Sequence, residues 1–236
     1  MNTTEAVRQA VQLIRTLDPS LLECVQTSLL CSLTATAAAV LVGVPLAVLL
    51  GRSSFPGRDA LVLAAHTGMA VPTVVIGLLL YGLLSHSGPM GSLDVLYTRK
   101  AIIIGEFALA LPIIVALFSS ATAGLQAKLE MTARTLGAGR LRTFWTVVCE
   151  AKVGLIAATM SAFGRVCSEL GIAMMLGGNI KYYTRTMTTA IAMETAGGKF
   201  ALALALGLIL VLIALGINVA AQVFRLPAQR RHPDVL

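Results

Sequence analysis

The sequence predicts an all-α integral membrane protein with five transmembrane helices. Of its 236 residues, 57% are hydrophobic and only 12% charged, about half the charged share of a soluble domain. Mean hydropathy is +0.85. Five stretches are each long enough to cross a bilayer core of about 30 Å, which takes roughly 20 apolar residues in a helix. Aromatic residues are few, at 5%, while Ala, Leu, Gly and Val abound. Small side chains let membrane helices approach closely.

Residues 1–20 precede the first apolar run. Glu5, Arg8, Arg15 and Asp18 interrupt them, so they lack the continuous apolar core of a signal peptide. Val7, Val11 and Ile14 recur at i, i+4 and i+7, which predicts a short amphipathic helix on the membrane surface. An ordinary solvated helix fits the same residues.

Residues 21–225 read as one transmembrane domain, with helices at about 25–50, 60–85, 101–123, 153–176 and 200–224. The first and last are free of charge, and the second holds only His66. The third contains Glu106, and the fourth contains Arg165 and Glu169. Pro45, Pro72 and Pro112 fall inside three of the runs, where a proline usually kinks the helix. A short tail, 226–236, closes the chain.

Loop cations give an orientation. Arg52, Arg58, Lys128, Arg134, Arg140, Arg142, Lys152, Arg225, Arg230 and Arg231 lie on one side. Arg8, Arg15, Arg99, Lys100, Lys181, Arg185 and Lys199 lie on the other. The larger set belongs in the cytoplasm, which puts the N-terminus outside and the C-terminus inside. The net charge of +7 then fits topology and contact with anionic lipid. No basic stripe with interleaved aromatics points to nucleic acid. Cys24, Cys31, Cys149 and Cys167 make no C-x-x-C and read as small core residues. Three scattered histidines suggest no metal cluster, and no cofactor is expected in this chain.

The longest cytoplasmic segment, about 126–150, contains "EMTARTLGAGRLRTFW" from Glu130 to Trp145. Leu129, Ala133 and Leu136 form an apolar edge at helical spacing, continued by Phe144 and Val148. Gly137 and Gly139 then predict two short helices meeting at a corner. Glu130 and Arg134 sit at i, i+4 in the favourable order. On pattern alone, a solvated interfacial loop also fits.

This segment resembles the EAA loop of ABC importer permeases, with Ala133 and Gly137 at the second Ala and the Gly of that motif. Glu130 stands one position before the usual Glu, whose place Met131 takes. "GRVCSELGIAMMLGGN" resembles the helix after that loop in molybdate, tungstate and sulfate permeases. "FPGRDALVLA", "VPTVVIGLLLYGLLSHSGPMG" and "NIKYYTRTMTTAIAMET" are similar to the tungstate permeases. The likeness runs from about Leu21 to Phe224.

The resemblance implies a type I, molybdate-permease-like arrangement in a prokaryotic inner membrane. It implies a homodimer with one pathway, fed by a periplasmic or lipid-anchored oxyanion-binding protein and driven by an ABC ATPase. Coupling to that ATPase would fall on Leu129, Glu130, Ala133, Leu136, Gly137 and Gly139. The expected function is import of an oxyanion, tungstate before molybdate or sulfate. "GGKF" at 197–200 fails as the end of a Walker A loop, because Phe200 stands where Ser or Thr must bind magnesium. ATP hydrolysis is therefore expected in another chain, and this chain is read as a transport subunit. A secondary transporter is the rival of another class. It would need a coupling-ion site and often an inverted repeat, and neither is visible.

Arg165 and Glu169, four apart on one helix, predict an intramembrane pair that either locks the helix or forms part of a gate. Glu106 is a candidate partner for Arg165 from the next helix. Beyond the fourth helix, Asn179, Thr184, Arg185, Thr186 and Thr188 predict a hydroxyl-rich, positive outer mouth that attracts an oxyanion. Snorkelling cations at an interface would produce a similar pattern.

Overall fold

The computed structural model describes the backbone of residues 3–52, 55–135 and 137–229, and side chains within 4–51, 55–123 and 137–223 and at Thr132. Every regular element among them is helical. The helices are α1 (Thr3–Arg15), α2 (Pro19–Arg52), α3 (Arg58–Ala70), α4 (Thr73–Leu84), α5 (Arg99–Thr135), α6 (Arg140–Glu150), α7 (Lys152–Cys167), α8 (Gly171–Gly177), α9 (Met187–Ala196) and α10 (Phe200–Gln229).

Three of these contain spans long and apolar enough to cross a membrane unaided: Pro19–Gly51, Arg99–Ala123 and Phe200–Val223. Two bent pairs, α3 with α4 and α6 with α7, raise the total to five. Pro45 and Pro112 lie inside α2 and α5 without ending either helix. Pro72 behaves differently. The helix expected over 60–85 turns by 103° between α3 and α4. Pro72 has no N–H to donate, and it forces Val71 out of helical geometry, to φ −61° and ψ 130°.

The helix expected over 153–176 is likewise two helices. α7 stops at Cys167 and α8 starts at Gly171. The Glu169 carboxylate makes the break tolerable, since its Oε1 accepts from the backbone N–H of Gly171 at 2.8 Å and of Ile172 at 3.4 Å. Those are the donors a new helix leaves unpaired.

α5 is the central post. Its span is 61% buried, against 17% for α10. Leu109, Ile113, Ile114 and Phe118 of α5 pack with Ala39, Val44 and Val48 of α2, Ala158 and Ala162 of α7, and Ile172 and Leu176 of α8. The approach is tight. A Cβ on Gly43 would meet Ile114 at 3.0 Å, and one on Gly105 would collide with Ile172 and Leu176. A second cluster joins α1, α2, α9 and α10 through Ala10, Leu21, Cys24, Met187, Ala190 and Leu206.

α1 packs one side on the bundle and leaves part of the apolar stripe read from the sequence uncovered. Ala6 and Ala10 are buried, whereas Val7 and Val11 are exposed. Small side chains let α1 lie close against α10, and the larger valines face outward. Cys24, Cys31 and Cys167 are buried free thiols, as expected of core residues, while Cys149 is exposed.

Candidate functional site

Polar residues of α2 and α5 converge within the bundle. α2 contributes Thr27, Ser28, Ser32 and Thr36, all buried, and α5 contributes Glu106. Ser28 Oγ accepts from the Met187 backbone N–H at 2.7 Å, tying α9 to α2. Ser32 faces the Glu106 carboxyl, whose Oε2 is buried with no hydrogen-bond partner among the described residues. Glu106 makes no ion pair with Arg165, contrary to the interhelix pairing considered from sequence.

Arg165 instead pairs with Glu169, two residues past the end of its own helix. Its Nη1 donates to Glu169 Oε2 at 2.9 Å, as the i, i+4 spacing predicts. The two side chains differ in exposure, at 45% for Arg165 and 3% for Glu169. The carboxylate sits inside the bundle, bonded to the start of α8, and the guanidinium reaches outward from it. The Thr188 hydroxyl donates to the Glu169 carbonyl at 2.7 Å, so the break between α7 and α8 is bonded on both sides.

The turn after α8 is built from left-handed residues. Gly178 has φ 69° and Asn179 has φ 52°, the conformations that end a helix at Gly and tolerate Asn. The hydrogen-bonding capacity expected at an open outer mouth is largely engaged inside the chain. Thr184 donates to the Gly177 carbonyl and accepts from the Ile180 N–H. Arg185 Nε donates to Asn179 Oδ1 at 3.1 Å, and its Nη1 pairs with Glu194 at 3.2 Å. Thr186 caps α9 in a box with Thr189. Lys181, a loop cation of the same turn, remains exposed beside Tyr182.

At the other end, the expected pair of short helices is not formed: α5 continues unbroken to Thr135, and only α6, from Arg140, is short. The backbone of Leu129, Glu130 and Ala133 lies on α5. Their side chains, and Leu136 altogether, lie outside the described residues. Gly137 has φ 70°, which an L side chain adopts only with strain. Gly139 is extended at φ −67° and ψ 165°, within reach of any residue.

α6 buries Thr143, Val147 and Val148, with Phe144 packed against the core. Its opposite side exposes Leu141 at 72% and Trp145 at 57%. Phe144 and Val148, which continue the apolar edge read from the sequence, face inward. Leu141 and Trp145 were missed, although their i, i+4 spacing amid Arg140 and Arg142 was a legible signal.

A further feature escaped the sequence reading. A cavity of about 670 Å³ lies between α7 and α10, and Ser161, Arg165, Ser168, Asn218 and Gln222 supply its polar lining. Polar residues at i, i+4 and i+7 on α7, and at i, i+4 on α10, were the overlooked pattern.

Comparison with known proteins places this architecture. Residues 43–226 match the family described as binding-protein-dependent transport system inner membrane component. The tungstate uptake system permease protein of Campylobacter jejuni is 40% identical over 197 residues, covering 84% of this chain and 82% of that one. The corresponding protein of Peptoclostridium acidaminophilum is 36% identical over 199 residues, covering 84% and 87%. The molybdenum transport system permease protein of Escherichia coli K12 is 29% identical over 217 residues, covering 86% and 95%. Among solved structures, the MetNI methionine ABC transporter has a TM-score of 0.66 at 16% identity, covering 87% of this chain and 94% of that one. That likeness speaks to the fold. The helices, their breaks and the matched length agree: the chain is a multi-pass membrane protein of the binding-protein-dependent transport system inner membrane component family.

Proposed function

We propose that this chain is the permease subunit of an ATP-driven, binding-protein-dependent importer, and that its cargo is tungstate. The observation that carries the cargo assignment is the likeness to two tungstate permeases at 40% and 36% identity, against 29% for the molybdenum permease. In this reading a binding protein delivers the oxyanion at the outer face, near the turn that follows α8. A second copy of the chain completes the pathway, and a separate ATPase supplies the energy. The N-terminus is outside and the C-terminus inside, following the excess of cations on the loop holding Arg140 and Arg142.

α6 has the properties a coupling element needs. It is short and anchored on the bundle by Val147 and Val148, and it presents Leu141 and Trp145 between cations. An apolar pair of this kind fills a cleft on a soluble partner. Gly137, at φ 70°, lies between the end of α5 and the start of α6.

The test is uptake into proteoliposomes containing this chain, its ATPase and its binding protein. Labelled tungstate is expected to accumulate only with ATP, and a tenfold excess of sulfate is expected not to compete. Molybdate competing as strongly as unlabelled tungstate would broaden the cargo to both anions. Absence of ATP-dependent uptake of all three would overturn the importer reading.

A further inference from the structure

We propose that the cleft between α7 and α10 is an oxyanion transfer path, with Arg165 as its anion-binding station. The inference rests on the importer reading above and assigns residues to it.

The first observation is placement. Arg165 lies thirteen residues after the start of α7 at Lys152, which is roughly 20 Å of helix at 1.5 Å per residue. It is therefore well inside a bilayer core of about 30 Å. A charge at that depth is costly against lipid and must face protein or water. Its exposed portion opens into the cavity of about 670 Å³. Water takes up about 30 Å³ per molecule, so a tetrahedral oxyanion a few waters in size fits there with solvent to spare.

The second observation is the lining. Ser161, Arg165 and Ser168 share one face of α7, and Asn218 and Gln222 share the facing side of α10. The helices run in opposite directions, so these groups form a line from Ser168 and Arg165 toward Gln222 near the cytoplasmic end of α10. The other face of α10 is apolar and exposed, with Leu212, Leu215, Val219 and Val223. A helix meeting lipid on both faces would have no use for this asymmetry. Every polar group lining the cleft is a cation, a hydroxyl or an amide, and no carboxylate is among them. Ser161 and Gln222 have no protein partner among the described residues, so both remain available to a ligand.

The third observation concerns the ion pair. Pairing with a carboxylate would ordinarily disqualify an arginine from binding an anion. Here Glu169 uses Oε2 for a single contact with Nη1 and Oε1 for the start of α8. A guanidinium has five N–H donors, so one contact leaves others free, and the side chain, 45% exposed, lines the cleft. Glu169 holds Arg165 in place from behind, without occupying the face that meets the anion.

The experiment uses the complete transporter in proteoliposomes, with labelled tungstate, molybdate and sulfate as probes. The double variant Arg165→Gln/Glu169→Gln replaces the pair by neutral side chains of similar shape that can still hydrogen-bond. Ser161→Glu leaves the pair intact and puts a negative charge in the cleft. Both are expected to lower uptake roughly tenfold or more, the effect of losing or opposing a charge-assisted contact. Assembly of each variant with the ATPase is read by co-purification, so that a loss of uptake is told apart from a loss of the complex. Wild-type uptake by the double variant would show that the pair serves only to hold the helix, and would overturn the proposal. If that variant fails to assemble, Ser161→Glu decides, and wild-type uptake by it overturns the proposal equally. A wild-type transporter that moves none of the three probes would bring down the importer reading and this inference together. Uptake by wild type and variants alike would bring down the cleft assignment alone.

Discussion

Arg165 and Glu169 share one ion pair but not one environment. The carboxylate is buried and the guanidinium half-open, so removing the two has unequal consequences. Arg165→Leu leaves a carboxylate inside the bundle without its cation. It is expected to cost roughly 3 kcal/mol, the low end for breaking a buried pair. Glu169→Gln keeps a side-chain oxygen for the Gly171 N–H and leaves an arginine that water in the cleft can solvate, so it is expected to cost clearly less. The combined Arg165→Leu/Glu169→Leu change is expected to cost less than the sum of its single changes. Melting in detergent checks all of these, and strictly additive losses would mean that the two residues do not interact. Glu106 poses the opposite case. One of its oxygens is buried without a partner, and a buried polar group in that state is a liability to the fold. Glu106→Gln keeps the shape and removes any ionised form. It is expected to leave the melting temperature unchanged or raise it, whereas a marked drop would reveal a partner that needs the carboxylate.

At the scale of elements, what matters is how helices end. Pro72 ends α3, Glu169 starts α8, and Gly137 separates α5 from α6. The Gly137 corner invites a direct test. A Cβ there would meet nothing within 4 Å, so crowding is not the constraint. The constraint is φ of 70°, which costs a β-branched residue on the order of 1–3 kcal/mol. Gly137→Val is therefore expected to leave insertion intact while binding-protein-stimulated ATP hydrolysis and uptake fall together. Gly139→Ala is the control. That position has φ −67° and open space around it, and the variant is expected to behave as wild type. Near-normal rates in a folded Gly137→Val protein would remove this corner from the coupling path.

For the whole molecule, the distribution of burial divides the labour. α5 is the post on which α2, α3, α7 and α8 pack, and α10 stands at the edge with most of its span uncovered. An edge helix that is polar toward α7 and apolar on its other side can meet the pathway and lipid at once. The motor lies elsewhere in this reading, because the Walker-like "GGKF" lacks the hydroxyl that binds magnesium. Phe200 of that segment starts α10. The purified chain alone is accordingly expected to show no ATP binding by equilibrium dialysis and no turnover, with activity appearing on addition of the ATPase. Turnover that persists through successive purification steps would refute this.

Composition and apolar run length determined the class of protein, because the bilayer demands about 20 apolar residues per crossing whatever their order. The order then yielded the family likeness along most of the chain, and the Arg165–Glu169 pair and the glycine corner, both set by spacing over a few residues. Tertiary structure decided what spacing cannot express. A residue's distance from another helix is invisible in one strand of text, so Glu106 was a plausible partner for Arg165 until α5 placed it beside Ser32. Hydroxyls near Thr184 and Thr186 looked available for an anion, but local turn geometry directs them to backbone groups a few residues away. The cleft between α7 and α10 exists only where two faces, some fifty residues apart in sequence, are brought opposite each other. Its residues were readable one helix at a time, and only packing could show that they face the same space.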